Sequence, residues 1–197
     1  MKGTKNLGML ILVGIILIFV VWGCNGYNGI VKQDVNVQKT WGNVNTEYQK
    51  RADLVDNLVN TVKGAADFER QTLTDVIEAR ANASKVNLTA DQLTPENMAK
   101  FQQAQSEMSG ALSRLLVTVE RYPELKANQN FLQLQGQLEG IENDIRNSRK
   151  TFNDAVATYN QKVRAFPMNL LAGMFGFERK EPFAADAGAE KAPKIQF

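Results

Sequence analysis

Between Val37 and Val62 the inward-facing positions recur at steps of four and three: Val37, Trp41, Val44, Tyr48, Arg51, Val55, Leu58 and Val62. That alternation keeps one stripe of a helix turned toward a partner, as in a coiled-coil seam. Arg51 breaks the apolar row with a permanent positive charge. The spacing predicts a helix over about residues 30–62, stopped or kinked at Lys63-Gly64. A second helical pattern, over about 65–86, presents Phe68, Leu73, Val76, Ile77, Ala83 and Val86. The two patterns are either separate helices or one rod bent at Gly64.

Asn87 to Thr94 is polar and turn-forming, and Thr94-Pro95 reads as an N-cap followed by proline at the first helical position. A third seam follows, with Met98, Phe101, Gln105, Met108, Leu112, Leu115, Val119 and Tyr122. Gln105 is its polar member, expected to reach water or a neighbour at the seam edge. Pro123 disfavours helical geometry at Tyr122 and ends the run. Asn128 is placed to cap a last helix reaching about Ala165, whose stripe contains Phe131, Leu134, Leu138, Ile141, Ile145, Ser148, Phe152, Val156, Tyr159 and Val163. The predicted fold is all-α: an antiparallel up-and-down helical bundle over 30–165, of four helices, or of three if the first two are continuous.

Ahead of the bundle, residues 7–23 carry no charge and extend through Cys24, so 7–25 is expected to be a transmembrane helix and signal anchor behind a short N-terminus, 1–6. Trp22 and Tyr27 suit the far interface, and Lys2 and Lys5 orient the N-terminus to the cytoplasm by the positive-inside rule. The bundle then lies outside. The same segment also admits a cleaved signal, which would want a small-residue pattern that is missing here. Lipidation at Cys24 is the third option, with bulky Trp22 standing before Gly23-Cys24. Residues 166–177, FPMNLLAGMFGF, are apolar but too short to span a bilayer, and are expected to cap the bundle or to contact a membrane. The mixed-charge residues 178–197 have the composition of a disordered tail.

Composition removes most chemistry. The chain has 197 residues, a net charge of +2, no histidine and one cysteine. Histidine acid–base catalysis, Cys–His nucleophiles, ordinary zinc sites and Glu-x-x-His di-iron sites are therefore excluded, as is an intrachain disulfide. Glycine-rich phosphate loops and nucleophile elbows are missing, and the interspersed charges give no footprint for nucleic acid. Asn82-Ala83-Ser84 and Asn87-Leu88-Thr89 match the glycosylation triplet, a weak signal. No enzyme activity and no cofactor is expected. What remains are polar side chains in or beside the seams: Arg51, Asp53, Asn57, Glu142, Arg149, Asn153, Tyr159 and Asn160. They are read first as a structural network that fixes helix register, and second as the lining of a cleft for an anionic ligand. Glu139 and Glu142 on the last helix are the carboxylate candidates to face Arg51.

The ordered run Tyr27-Asn28, Trp41, Gln49-Lys50-Arg51-Ala52-Asp53-Leu54-Val55, Asn57-Leu58-Val59, Val62-Lys63-Gly64 and Glu69 resembles the LemA family of bacterial membrane proteins. Ala79-Arg80, Arg121-Tyr122-Pro123-Glu124-Leu125-Lys126-Ala127, Phe131, Glu142, Ile145, Arg149, Phe152-Asn153 and Tyr159-Asn160 continue the resemblance. It departs at Asp56, where the family commonly has proline, and at Phe152, where it commonly has tyrosine. The resemblance implies a short N-terminal membrane segment and an extracytoplasmic antiparallel bundle, with some relatives associated with bacterial membrane organelles, and it favours Glu142, a member of the recurring pattern, over Glu139 as the counter-charge to Arg51. The expected function is that of a bacterial inner-membrane scaffold or adaptor, binding a protein partner or another copy of itself. An anionic-ligand sensor and a membrane-shaping protein are the alternatives.

Overall fold

The computed structural model describes residues 3–64 and 68–184, with side chains from residue 9 onward. Lys2, the side chain of Lys5, the expected start of the second helix at 65–67, and residues 185–197 lie outside that set. Among the described residues the regular structure is entirely helical.

Helix α1 (Gly3–Lys63) runs 61 residues without interruption, about 90 Å at 1.5 Å per residue. The uncharged segment and the first seam are therefore one rod. The helix runs unbroken through Gly23, Gly26 and Gly29: each lowers helix propensity by only about 1 kcal/mol, and neighbours on both sides keep the ladder of backbone bonds intact. Asp56, at the commonly proline position, keeps its place in that ladder, so α1 needs no kink there.

The first and second patterns belong to two helices. Helix α2 (Arg70–Lys85) starts afresh and runs back beside α1. Arg80 Nη2 lies 2.5 Å from Asp56 Oδ2, and farther along the chain Trp41 Nε1 donates to the Leu88 carbonyl at 2.7 Å. Numbering thus rises along one while it falls along the other. A short 3-10 turn (Ala90–Gln92), closed by a Thr89–Gln92 capping box, tucks Leu88 and Leu93 into the core. Helix α3 (Pro95–Val119) opens with Thr94 Oγ1 accepting from the Asn97 amide, and proline occupies its first turn. After the single turn α4 (Pro123–Lys126), Asn128 Oδ1 accepts from the amides of Asn130 and Phe131 and starts α5 (Gln129–Arg164). Helix α6 (Met168–Phe175) ends at Gly176, whose φ of 73° is left-handed and favours glycine.

Residues 178–184, assigned by composition to a disordered tail, are laid along the bundle instead, with Phe183 buried. Composition misses this because the segment is held by long-range contacts to α5, and its one aromatic side chain has a pocket waiting.

The core falls into two apolar clusters. One contains Val37, Trp41, Val44 and Tyr48 of α1, Met98 and Phe101 of α3, and Ile145, Phe152, Val156 and Tyr159 of α5. The other contains Val55, Leu58 and Val62 of α1, Met108, Leu112 and Leu115 of α3, and Phe131 and Leu138 of α5. On each helix the boundary falls at the same level: at Arg51 on α1, Gln105 on α3 and Glu142 on α5.

Candidate functional site

That boundary is a polar layer. Arg51 is 2% exposed, yet its guanidinium is engaged on three sides. Nη1 donates to Glu142 Oε1 at 2.9 Å and to Ser109 Oγ at 2.9 Å, and Nη2 donates to Gln105 Oε1 at 2.5 Å. Cζ sits 5.0 Å over the Tyr48 ring, while Nε is buried without a hydrogen-bond partner. The Glu142 side chain keeps 36% of its surface in solvent, which lowers the cost of holding its charge. A cleft of about 270 Å³ opens beside the layer, with Arg146 and Arg149 at its edge.

Asp53 and Asn57 do not join the layer. Two and six residues beyond Arg51, at about 100° per residue, they point roughly 200° and 240° around the helix. Both are exposed there, Asp53 accepting from Gln49 Nε2 at 2.8 Å. Gln105 and Ser109 take the places that the sequence offered to them. Gln105 was visible as the polar member of the third seam, whereas Ser109 lies outside that seam's three-and-four spacing and gives no separate signal.

The remaining predicted residues form a second constellation on α5, which grips residues 178–184. Asn160 Oδ1 accepts from the Lys180 amide at 3.0 Å and its Nδ2 donates to the Lys180 carbonyl at 2.8 Å. Asn153, two helical turns earlier, does the same to Phe183, at 2.8 and 3.1 Å. Tyr159 Oη donates to the Glu178 carbonyl and Arg149 Nη2 to the Ala184 carbonyl. The amides address backbone alone, so they hold residues 178–184 whatever their side chains. Phe183 supplies the side-chain specificity: its ring lies 5.6 Å from Phe152 and 5.9 Å from Trp41, under the Arg149 guanidinium at 4.8 Å. Phe152, at the commonly tyrosine position, is fully buried among these rings. Lys180 adds an ion pair that the sequence did not suggest, its Nζ 2.9 Å from Asp34 Oδ1. Burial pushes the Tyr159 phenol up to about 12, with the carboxylates of Asp34 and Glu178 adding to the shift.

At the far end of α1 the side chains from Met9 to Trp22 lie open, and the most apolar stretch is long and apolar enough to cross a membrane with none of it buried. A core helix of a soluble protein would have that stretch covered. Cys24 is free and exposed at its end. Among the described residues, no three His, Cys, Asp or Glu side chains converge as metal ligands would.

The profile of the LemA family matches residues 40–197, which takes in every residue of both constellations except Asp34. The chain belongs to the LemA family. Among its relatives, the magnetosome protein MamQ 2 of Paramagnetospirillum magneticum is 25% identical over 92% of this chain and 73% of its own length. The magnetosome protein MamQ of Magnetospirillum gryphiswaldense matches to the same extent. Protein LemA of Metamycoplasma hominis is 21% identical over 74% of this chain, which covers 63% of that relative. This LemA-family chain is helical among its described residues and carries, near its N-terminus, one helix long and apolar enough to cross a membrane.

Proposed function

We propose that this protein is a single-span scaffold or adaptor of the bacterial inner membrane, with its N-terminus cytoplasmic and its up-and-down antiparallel bundle outside, working through contact with a protein partner or a second copy. The observation that carries this reading is the unbroken helix α1, whose exposed apolar segment continues into the bundle seam. A rod of this kind keeps the bundle at a set distance from the membrane, which suits a presenting surface.

The polar residues support the same reading. Arg51 is engaged by Glu142, Gln105 and Ser109, and Asn153 and Asn160 by the chain's own residues 178–184, so their first task is to fix the bundle. The outer helix faces keep isolated apolar side chains for contact, among them Val117 at 71% and Ile77 at 41% exposed. A photo-crosslinking amino acid at Val117 or Ile77, activated in intact cells, is expected to give discrete adducts heavier than one chain. Uncrosslinked chains only, together with the mass of a single chain by light scattering in detergent, would remove the scaffold reading.

The cleft edged by Arg146 and Arg149 supports the second reading, an anionic ligand. Thermal shift against phosphate and dicarboxylates separates the two, because a ligand that binds only the folded state raises its stability.

A further inference from the structure

Helix α6 has two faces with different surroundings. One covers the bundle: Ala172 is buried, and the Phe175 ring stands 4.9 Å from Tyr27. Met168, seven residues before Phe175, packs over Gly26, so close that a Cβ there would lie 2.6 Å from its Sδ and displace it. Both ends of α6 thus meet α1 at the adjacent residues Gly26 and Tyr27. A helix about 12 Å long can do that only by crossing α1 instead of running along it. The other face is bare. Leu170 is 60% and Met174 78% exposed, four apart on the helix, and Phe166, in the turn just before it, is 82% exposed. These side chains look along α1 toward its uncharged end, and with Ile18, Phe19 and Trp22 they wall an apolar notch of about 630 Å³.

We propose that α6 is an interfacial foot, lying in the outer-leaflet boundary between headgroups and acyl chains, with phospholipid acyl chains filling the notch. This rests on the reading of residues 7–25 as a membrane span, and adds a second membrane contact to it. Three features select lipid as the occupant. The notch is continuous with the exposed apolar surface of the span, so acyl chains already surround half of its wall. The helix lies across the span, the orientation of a helix that floats in an interface with its apolar face down. Cations stand at the matching height: Lys162 lies against Gly29, and Arg164 and Arg179 flank the bundle side of α6. Gly29 is seven residues above Trp22, a rise of about 10 Å, a little beyond the roughly 5–7.5 Å of one headgroup layer and within reach of a long lysine side chain. Phosphates there would meet positive charge while the foot meets hydrocarbon.

The foot has a mechanical consequence. A span alone leaves α1 free to tilt, and a second contact beside it at the interface sets the direction in which the rod leans. Intact protein carrying Cys24→Ser and one new cysteine, labelled with an environment-sensitive fluorophore, reads this in phosphatidylglycerol-containing nanodiscs with or without brominated acyl chains. Leu170→Cys and Met174→Cys are expected to lose emission to bromine as the in-membrane reference Phe19→Cys does, while Val117→Cys is unaffected. Positions 170 and 174 behaving like position 117 would overturn the foot and leave the span standing. Blue-shifted emission at 170 and 174 without bromine quenching would mean that protein covers the face, and would also overturn it. Absence of quenching at position 19 would overturn the span, and the foot with it.

Discussion

Arg51 of α1 and Glu142 of α5, 91 residues apart in sequence, meet at 2.9 Å in the gap between two apolar clusters. Apolar seams by themselves specify helix register weakly, and a polar member can fix it. A slip of one turn, about 5.4 Å, would push the guanidinium among Val, Leu and Phe side chains and strand the carboxylate. The pair therefore discriminates among registers more than it adds stability.

Removing the charge and the volume together is then worse than removing the charge alone. Arg51→Ala is expected to cost roughly 3 kcal/mol, combining a lost partner with a cavity, and Arg51→Met about half of that. Thermal unfolding followed by circular dichroism in detergent compares them. Equal collapse of both variants would mean that the ion pair is indispensable to the fold.

Residues 178–184 are held by amide pairs at the Lys180 and Phe183 backbone and by the buried Phe183 ring. Truncating a buried phenylalanine costs about 3–5 kcal/mol where the whole fold must bear it. Here the segment can detach alone, so the loss is limited to its own docking energy. Phe183→Ala is expected to lower the melting temperature less than Phe152→Ala, while trypsin cuts much faster after Arg179 and Lys180. Unchanged cleavage would show that the amides suffice without the ring.

Tyr159 stays protonated in the folded chain to about pH 12, above the ordinary phenol value of 10. Between those two values the unfolded chain binds fewer protons than the folded one, so this group's contribution, whole below pH 10, is lost as pH rises toward 12. Tyr159→Phe is expected to be less stable than the parent at pH 8, having lost the bond to Glu178, but to decline less steeply above pH 10. Denaturant midpoints of the two proteins across that range give the comparison, and parallel curves would refute it.

Orientation is testable with one cysteine. In a Cys24→Ser background, Val117→Cys on the outer face of α3 is expected to react with a membrane-impermeant maleimide in intact spheroplasts. Labelling that requires lysis would place the bundle in the cytoplasm.

The parts of this architecture that could be read in advance are those set by neighbours in sequence. Thr94 and Asn128 cap α3 and α5 because a short polar side chain can reach amides two or three residues ahead. The stripes of α1, α3 and α5 follow from helical periodicity. Asp53 and Asn57 show the limit: they have the chemistry of a network residue, but periodicity turns them to solvent, and Gln105 and Ser109 supply the layer from another helix.

By itself the sequence determined an all-helical chain with an uncharged N-terminal segment, three long seams, a cation within the first of them and almost no catalytic vocabulary. These are local properties, written in the order and spacing of side chains over a few turns. Tertiary structure alone decided that Gln105 and Ser109 join Arg51 and Glu142, and that α6 lies across α1 with one bare face. It also decided that residues 178–184 are bound and not loose. Each of these depends on which distant surfaces meet, and the free energy that chooses among such meetings is spread over both partners, so neither segment carries it alone.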